Sequence, residues 1–170
     1  MSTKKDKETF LYSALKEAQD NIRTYDTKAQ IVGIGFIFTI GMIIKSINVD
    51  FYQLGTLTTI IIWILMLGPI VLFASVLYPT RKLAPSILRN RKNVKALYYL
   101  NPKEIDSVDS FIKQVDEIEI EEELAYELLK VSVLRDLKRK RFLKAMMFAS
   151  LSFAILLIVQ IIPVIKNLTL

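Results

Sequence analysis

Three long apolar runs, Ala29 to Ile44, Leu54 to Tyr78 and Ala145 to Ile165, each flanked by Lys or Arg, set the pattern of the chain. A bilayer hydrocarbon core about 30 Å thick takes roughly 20 helical residues, because each rises about 1.5 Å and every backbone N–H and C=O must be satisfied inside the helix. The second run meets that length easily. The first lies between Lys28 and Lys45 and reaches it when Lys45 snorkels outward and Ile47 sits at the interface. A short polar link with Lys45, Ser46, Asn48 and Asp50 joins these two runs, so residues 29–78 are expected to form a transmembrane hairpin. The third span is expected over 142–166, with a short tail at 167–170. None of the runs keeps a polar face for water, which sets them apart from soluble core helices. The expected fold is therefore an all-α membrane protein with three transmembrane helices, an N-terminal amphipathic helix and a helical cytosolic insert.

Outside the spans the pattern becomes amphipathic. Phe10, Leu11, Ala14, Leu15, Ala18, Ile22 and Tyr25 recur at spacings of three and four, which predicts a cytosolic helix within residues 1–28 that runs directly into the first span. Its apolar stripe must rest on a partner helix, on lipid headgroups or on another copy of the chain. The insert, 79–141, opens with a basic stretch interleaved with Leu, Ile, Val and Tyr. This predicts a surface helix from Pro85 to Tyr99, ended by Asn101 and Pro102. A further helix or helix pair is expected over Asp106 to Ile120. From Glu122 to Ile162 no Pro or Gly intervenes, so one long helix should carry the insert into the third span.

Composition narrows the chemistry. The 170 residues contain no Cys and no His, which removes disulfides, thiol nucleophiles, the usual zinc clusters and imidazole acid–base work. The acidic residues Glu117, Glu119, Glu121, Glu122, Glu123 and Glu127 lack the Asp- and Gly-containing loop of a calcium site, and a solvated helix face is the expected reading. No nucleophile and base constellation stands out, so no catalytic residues, metal ligands or cofactor are expected. The net charge of +6 accompanies a mean hydropathy of +0.37 and gathers beside the apolar runs, which points to anionic lipid rather than nucleic acid. The charged N-terminal stretch is no cleavable signal peptide, so the first span is expected to remain as an anchor.

Lys and Arg also set the expected topology. The link between the first two spans holds only Lys45 and the tail after the third only Lys166, whereas the N-terminal arm and the stretch from Arg81 to Lys144 are rich in both. By the positive-inside rule the N-terminus and the insert are cytoplasmic and the C-terminus is extracytoplasmic.

Two features within the hairpin concern packing. Ala29 and Gly33 stand four apart, with Gly35 and Gly41 beyond them, a pattern that lets helix backbones approach closely. Packing within the hairpin is the default reading, and contact between copies of the chain is the alternative. Gly68 and Pro69 should kink or loosen the second span, as a hinge or as a fixed bend filled by a neighbouring helix. Thr56, Thr58 and Thr59 can bond back to their own helix and so do not establish a pore lining.

At the start of the first span the sequence reads Arg23, Thr24, Tyr25, Asp26, Thr27, Lys28, Ala29, and it resembles the bacterial Pycsar effector transmembrane family, whose members tend to open that span with an Asp-x-Lys-Ala motif. The helix ahead of the last span, Leu128 to Lys130 and Lys138 to Ala145, is similar too. Read physically, Asp26 can pair with Arg23 or Lys28, or cap polar groups where the hairpin meets lipid.

The resemblance implies an antiphage effector of the bacterial inner membrane. In that family a nucleotide cyclase makes a cyclic pyrimidine mononucleotide on infection, and the membrane protein responds by damaging the membrane. It further implies a homo-oligomer in contact with lipid. If the nucleotide binds directly, Arg81, Lys82, Arg89, Arg91 and Lys92 supply cationic donors, with Tyr98 or Tyr99 for base stacking. A solvated basic face that only holds topology is the competing reading of the same residues. The alternative function is a passive scaffold that docks a cytosolic partner through the insert.

Overall fold

The computed structural model describes residues 4–46, 55–78 and 107–168, with side chains through residue 161 except those of 46 and 110. All elements among these residues are helical: α1 Lys4–Ser46, α2 Thr56–Leu77, α3 Val108–Asp116 and α4 Ile120–Leu168. The N-terminal amphipathic helix and the first span are one continuous α1, and the long helix leading into the third span is α4. The surface helix expected over 85–99 and most of the hairpin link lie outside the described residues.

Each helix end has a local cause. α2 starts after Gly55, whose φ of 79° is a conformation that side chains with a Cβ rarely adopt. Both the N–H and the hydroxyl of Thr59 donate to the Gly55 carbonyl, at 3.2 and 3.1 Å. At the other end the N–H of Tyr78 donates to the Ala74 carbonyl at 3.1 Å, and the next residue, Pro79, has no N–H to continue the ladder. The helix expected over Asp106 to Ile120 is shorter, because α3 closes at Asp116 and α4 already begins at Ile120. Acidic side chains are unfavourable at a helix C-terminus and favourable at an N-terminus. Glu117 and Glu119 fall in the break, and Glu121, Glu122 and Glu123 occupy the first turn of α4, where the N–H groups of Glu122 and Glu123 both donate to the Glu119 carbonyl.

α2 runs as a single helix through Gly68 and Pro69, with the proline ring buried. The missing N–H leaves the ladder one bond short, and neighbouring side chains fill the site: a Cβ added to Gly68 would lie 2.5 Å from Phe148 of α4. α4 likewise continues past Pro163 to Leu168.

The chain divides into two compact units that both draw on α1 and α4. One takes Met1–Arg23 and Thr80–Leu137. Its described core joins Leu15 and Ala18 of α1 to Leu124 and Val131 of α4, with Leu11, Ile22 and Leu128 packed alongside. The other takes Thr24–Pro79 and Lys138–Leu170. Its core is a three-helix seam of Ala29, Phe36, Ile40 and Ile43 from α1, Ile62, Met66, Phe73 and Val76 from α2, and Ala145, Ala149 and Leu156 from α4.

α1, α2 and α4 are each long and apolar enough to cross a membrane, yet only 22%, 28% and 22% of their most apolar stretches is buried within the protein. Ile31, Ile34 and Phe38 of α1, Ile60, Trp63 and Leu67 of α2, and Met147, Leu151 and Ile158 of α4 all face outward. That much contiguous apolar surface is stable only against lipid, and the chain is a membrane protein.

Candidate functional site

At the end of the membrane unit where α1 and α4 enter it, polar and aromatic side chains form a collar around the seam. Asp26 lies on the face of α1 that carries Ala29, one turn before the apolar run. Lys138 lies on α4 seven residues ahead of Ala145, and therefore on the same buried face. The Lys138 ammonium donates to both Asp26 oxygens, at 2.5 and 2.6 Å. The Lys138 side chain is 9% exposed and that of Asp26 is 31% exposed. An ammonium so far removed from water needs a compensating carboxylate, and the bidentate contact provides one.

Arg141, one turn further along α4, donates from Nη1 to the Ser75 carbonyl at 3.0 Å. Ser75 is in the last turn of α2, whose closing carbonyls have no partner within the helix and carry its negative dipole end. A guanidinium is suited to that position. Between these two polar contacts the Phe142 ring lies 5.9 Å from Tyr25 and 6.3 Å from Phe73, both tilted. α4 is thus tied to α1 by an ion pair and a ring contact, and to α2 by a charged hydrogen bond and a ring contact. What the collar can do is hold three helices in one arrangement through contacts that depend on charge and dryness.

The expected site residues divide accordingly. Asp26 pairs with Lys138 rather than with Lys28, which is exposed. Arg23 is exposed and pairs with Asp20 at 3.7 Å. Ala29 is 1% exposed in the seam, and Gly33 packs against α2, where an added Cβ would lie 3.3 Å from the Phe73 Cβ. Gly35 has nothing within 4 Å of such a Cβ. Pro69 is buried and Gly68 abuts Phe148. Arg81, Lys82, Arg89, Arg91, Lys92, Tyr98 and Tyr99 lie outside the described residues. Among the described residues no group of three or more acidic, His or Cys side chains could hold a metal.

A second polar locus lies in the other unit and corrects the expectation of a solvated acidic face for two of its six acids, while Glu117 and Glu119 are exposed. Glu123 and Glu127 are each 1% exposed. The cause is register: Glu127 lies three residues after Leu124 and four before Val131, on the face of α4 that packs on Leu15 and Ala18. Its Oε1 makes no hydrogen bond and lies 3.9 Å from the Lys130 ammonium. Burial pushes the Glu127 carboxyl up from 4.5 to about 7, Lys130 opposes the shift and Glu123 adds to it.

Sequence reasoning found Asp26 and missed the residues it works with. Lys138, Arg141 and Phe142 stood out only as part of the basic stretch before the third span that resembles the family, with no contact assigned to any of them. The available signal was that Lys138 shares a helix face with Ala145 and Ala149, an unusual place for a lysine that has no partner.

No curated protein and no solved structure matches the chain. The model of the Pycsar effector protein domain matches residues 10–165, which takes in α1 from Phe10, the whole of α2 and α3, the collar and α4 through Ile165. The chain belongs to the Pycsar effector protein family.

Proposed function

We propose that this antiphage defence effector oligomerises in the bacterial inner membrane and impairs membrane integrity when a cyclic pyrimidine mononucleotide, made by a partner nucleotide cyclase, acts on its cytosolic part. Family membership supports the defence role and the membrane as the place of action. The family is one of membrane effectors rather than catalysts. The distribution of Lys and Arg supports a cytoplasmic N-terminus and insert with an extracytoplasmic C-terminus. Arg81, Lys82, Arg89, Arg91 and Lys92, with Tyr98 and Tyr99, are the cations and rings offered to the nucleotide.

The observation that carries the regulated part of this reading is the Asp26–Lys138 pair. It stands within the first turn of the membrane unit on α1 and at its first residue on α4, on helices whose peptide chain is continuous with the other unit. A rotation or slide of either helix separates the charges, and a separated buried ammonium must find water or a new partner. The pair therefore favours two discrete arrangements over a graded one.

The test is expression in bacteria with and without a pyrimidine nucleotide cyclase while a membrane-potential dye is followed. Depolarisation only when both proteins are present is the expected result. An unchanged potential with the nucleotide present overturns the reading, and a stable captured partner under those conditions would indicate a docking scaffold instead.

A further inference from the structure

The three helices of the membrane unit present different faces to their common seam. α1 contributes Phe36, Ile40 and Ile43 beyond its first small residues, and α2 contributes Ile62, Met66, Phe73 and Val76. α4 contributes Lys138, Ala145, Ala149, Ser152 and Leu156. Among the described residues of this unit the buried polar and charged side chains are Lys138 and Ser152, and both are on α4.

Ser152 is 0% exposed and its hydroxyl makes no hydrogen bond. Other hydroxyls of the spans bond back to their own helix, Thr39 to the Gly35 carbonyl at 2.9 Å and Ser75 to the Leu72 carbonyl at 2.6 Å. A dry, unpartnered hydroxyl among apolar side chains is disfavoured, and a position that only packed would be better filled by an apolar residue. Hydration in another arrangement of the same helices accounts for it. The face is also of membrane length: from Lys138 to Leu156 it runs about 27 Å at roughly 1.5 Å per residue, against a hydrocarbon core of about 30 Å.

We infer that the α4 face carrying Lys138, Ala145, Ala149, Ser152 and Leu156 lines a water-filled ion path when the membrane unit opens. The inference rests on the membrane-impairing function proposed above. The two alanines leave room for water, and the Ser152 hydroxyl both donates to it and accepts from it. Lys138 stands at one mouth. While Lys138 is held by Asp26 its charge is balanced, and once separated it adds an unpaired positive charge to that mouth, which favours anions.

The sequence contains no cysteine, so single cysteines report on one position at a time. The full chain is reconstituted in vesicles of bacterial lipid with a trapped dye, with Ala149→Cys or Ser152→Cys on the seam and Met147→Cys or Leu151→Cys on the outward face. Cyclic CMP and cyclic UMP are the probes, and a charged, membrane-impermeant methanethiosulfonate reads water access, because only a hydrated thiol ionises and reacts. The expected result is nucleotide-dependent dye leakage, with modification at positions 149 and 152 accelerated about tenfold or more in the leaking state and no acceleration at 147 and 151.

Leakage without acceleration at 149 and 152, or with acceleration at 147 and 151 instead, overturns the assigned face and leaves the membrane-impairing function standing. No leakage under either nucleotide overturns both. Ser152→Asp gives a second readout: a fixed negative charge in the path should shift the leak towards cations, and an unchanged ion preference in a protein that still leaks also overturns the assignment.

Discussion

Asp26 accepts from Lys138 through both carboxylate oxygens, at 2.5 and 2.6 Å, and the contact joins α1 to α4 across 112 residues of chain. The partners are not equivalent, since the Lys138 side chain is 9% exposed and that of Asp26 is 31% exposed. Asp26→Asn leaves a buried ammonium without its countercharge and should cost about 1–3 kcal/mol, whereas Lys138→Met leaves a carboxylate that reaches water and should cost less. The double exchange Asp26→Lys with Lys138→Asp should recover part of the loss. Denaturation midpoints in mild detergent read all three, and equal losses for the two single variants would contradict the asymmetry.

The glycines of α1 and α2 should respond differently to alanine. At Gly33 the added Cβ would lie 3.3 Å from the Phe73 Cβ, an atom tied to its own backbone, so Gly33→Ala should destabilise by about 1–3 kcal/mol. At Gly68 the obstacle is the far end of the Phe148 ring, and Gly68→Ala should be largely rescued by Phe148→Leu. Gly35 faces open space, so Gly35→Ala should be neutral or stabilising by up to about 1 kcal/mol. The same detergent denaturation ranks the three.

Glu127 makes stability depend on pH. Its carboxyl titrates at about 7 in the folded protein, against 4.5 when unperturbed. Between those values the folded protein holds a proton that the unfolded chain has released. Stability therefore falls as pH rises through this window and is lowest above it, by on the order of 3 kcal/mol. Glu127→Gln should flatten that profile and raise stability at pH 8, as followed by thermal melts from pH 5 to pH 8. A profile unchanged by the substitution would assign the effect to other groups.

Arg141→Met removes the donor to the Ser75 carbonyl while keeping much of the stem's packing. The last turn of α2 should then open more readily, by about 1–3 kcal/mol. Amide exchange of residues 74–78 should accelerate, with little change at the start of α2.

Much of the fold was legible because the bilayer imposes length and continuity on apolar helices. The uninterrupted run from Lys7 to Tyr25 and beyond announced α1, and the stretch without Pro or Gly after Glu122 announced α4. Pro69 and Pro163 were less informative, since both are accommodated inside helices whose other backbone bonds have nowhere else to go. Asp26 was legible as a charge at the edge of lipid. Its partner was not, because helix periodicity relates residues three and four apart and says nothing about one 112 residues away. The burial of Glu123 and Glu127 was readable in principle from their register with Leu124 and Val131, but six acids within eleven residues suggested water instead.

Because each unit is assembled from two separated stretches, 1–23 with 80–137 and 24–79 with 138–170, neither corresponds to a continuous gene fragment. A nascent chain that has delivered the hairpin still lacks Lys138, Arg141 and the whole of the third wall. The collar can close only after residues 80–137 have been synthesised. Premature termination anywhere before residue 138 therefore leaves a hairpin with Asp26 exposed at its rim, and no truncated product can contain a finished membrane unit without the segment that is proposed to govern it.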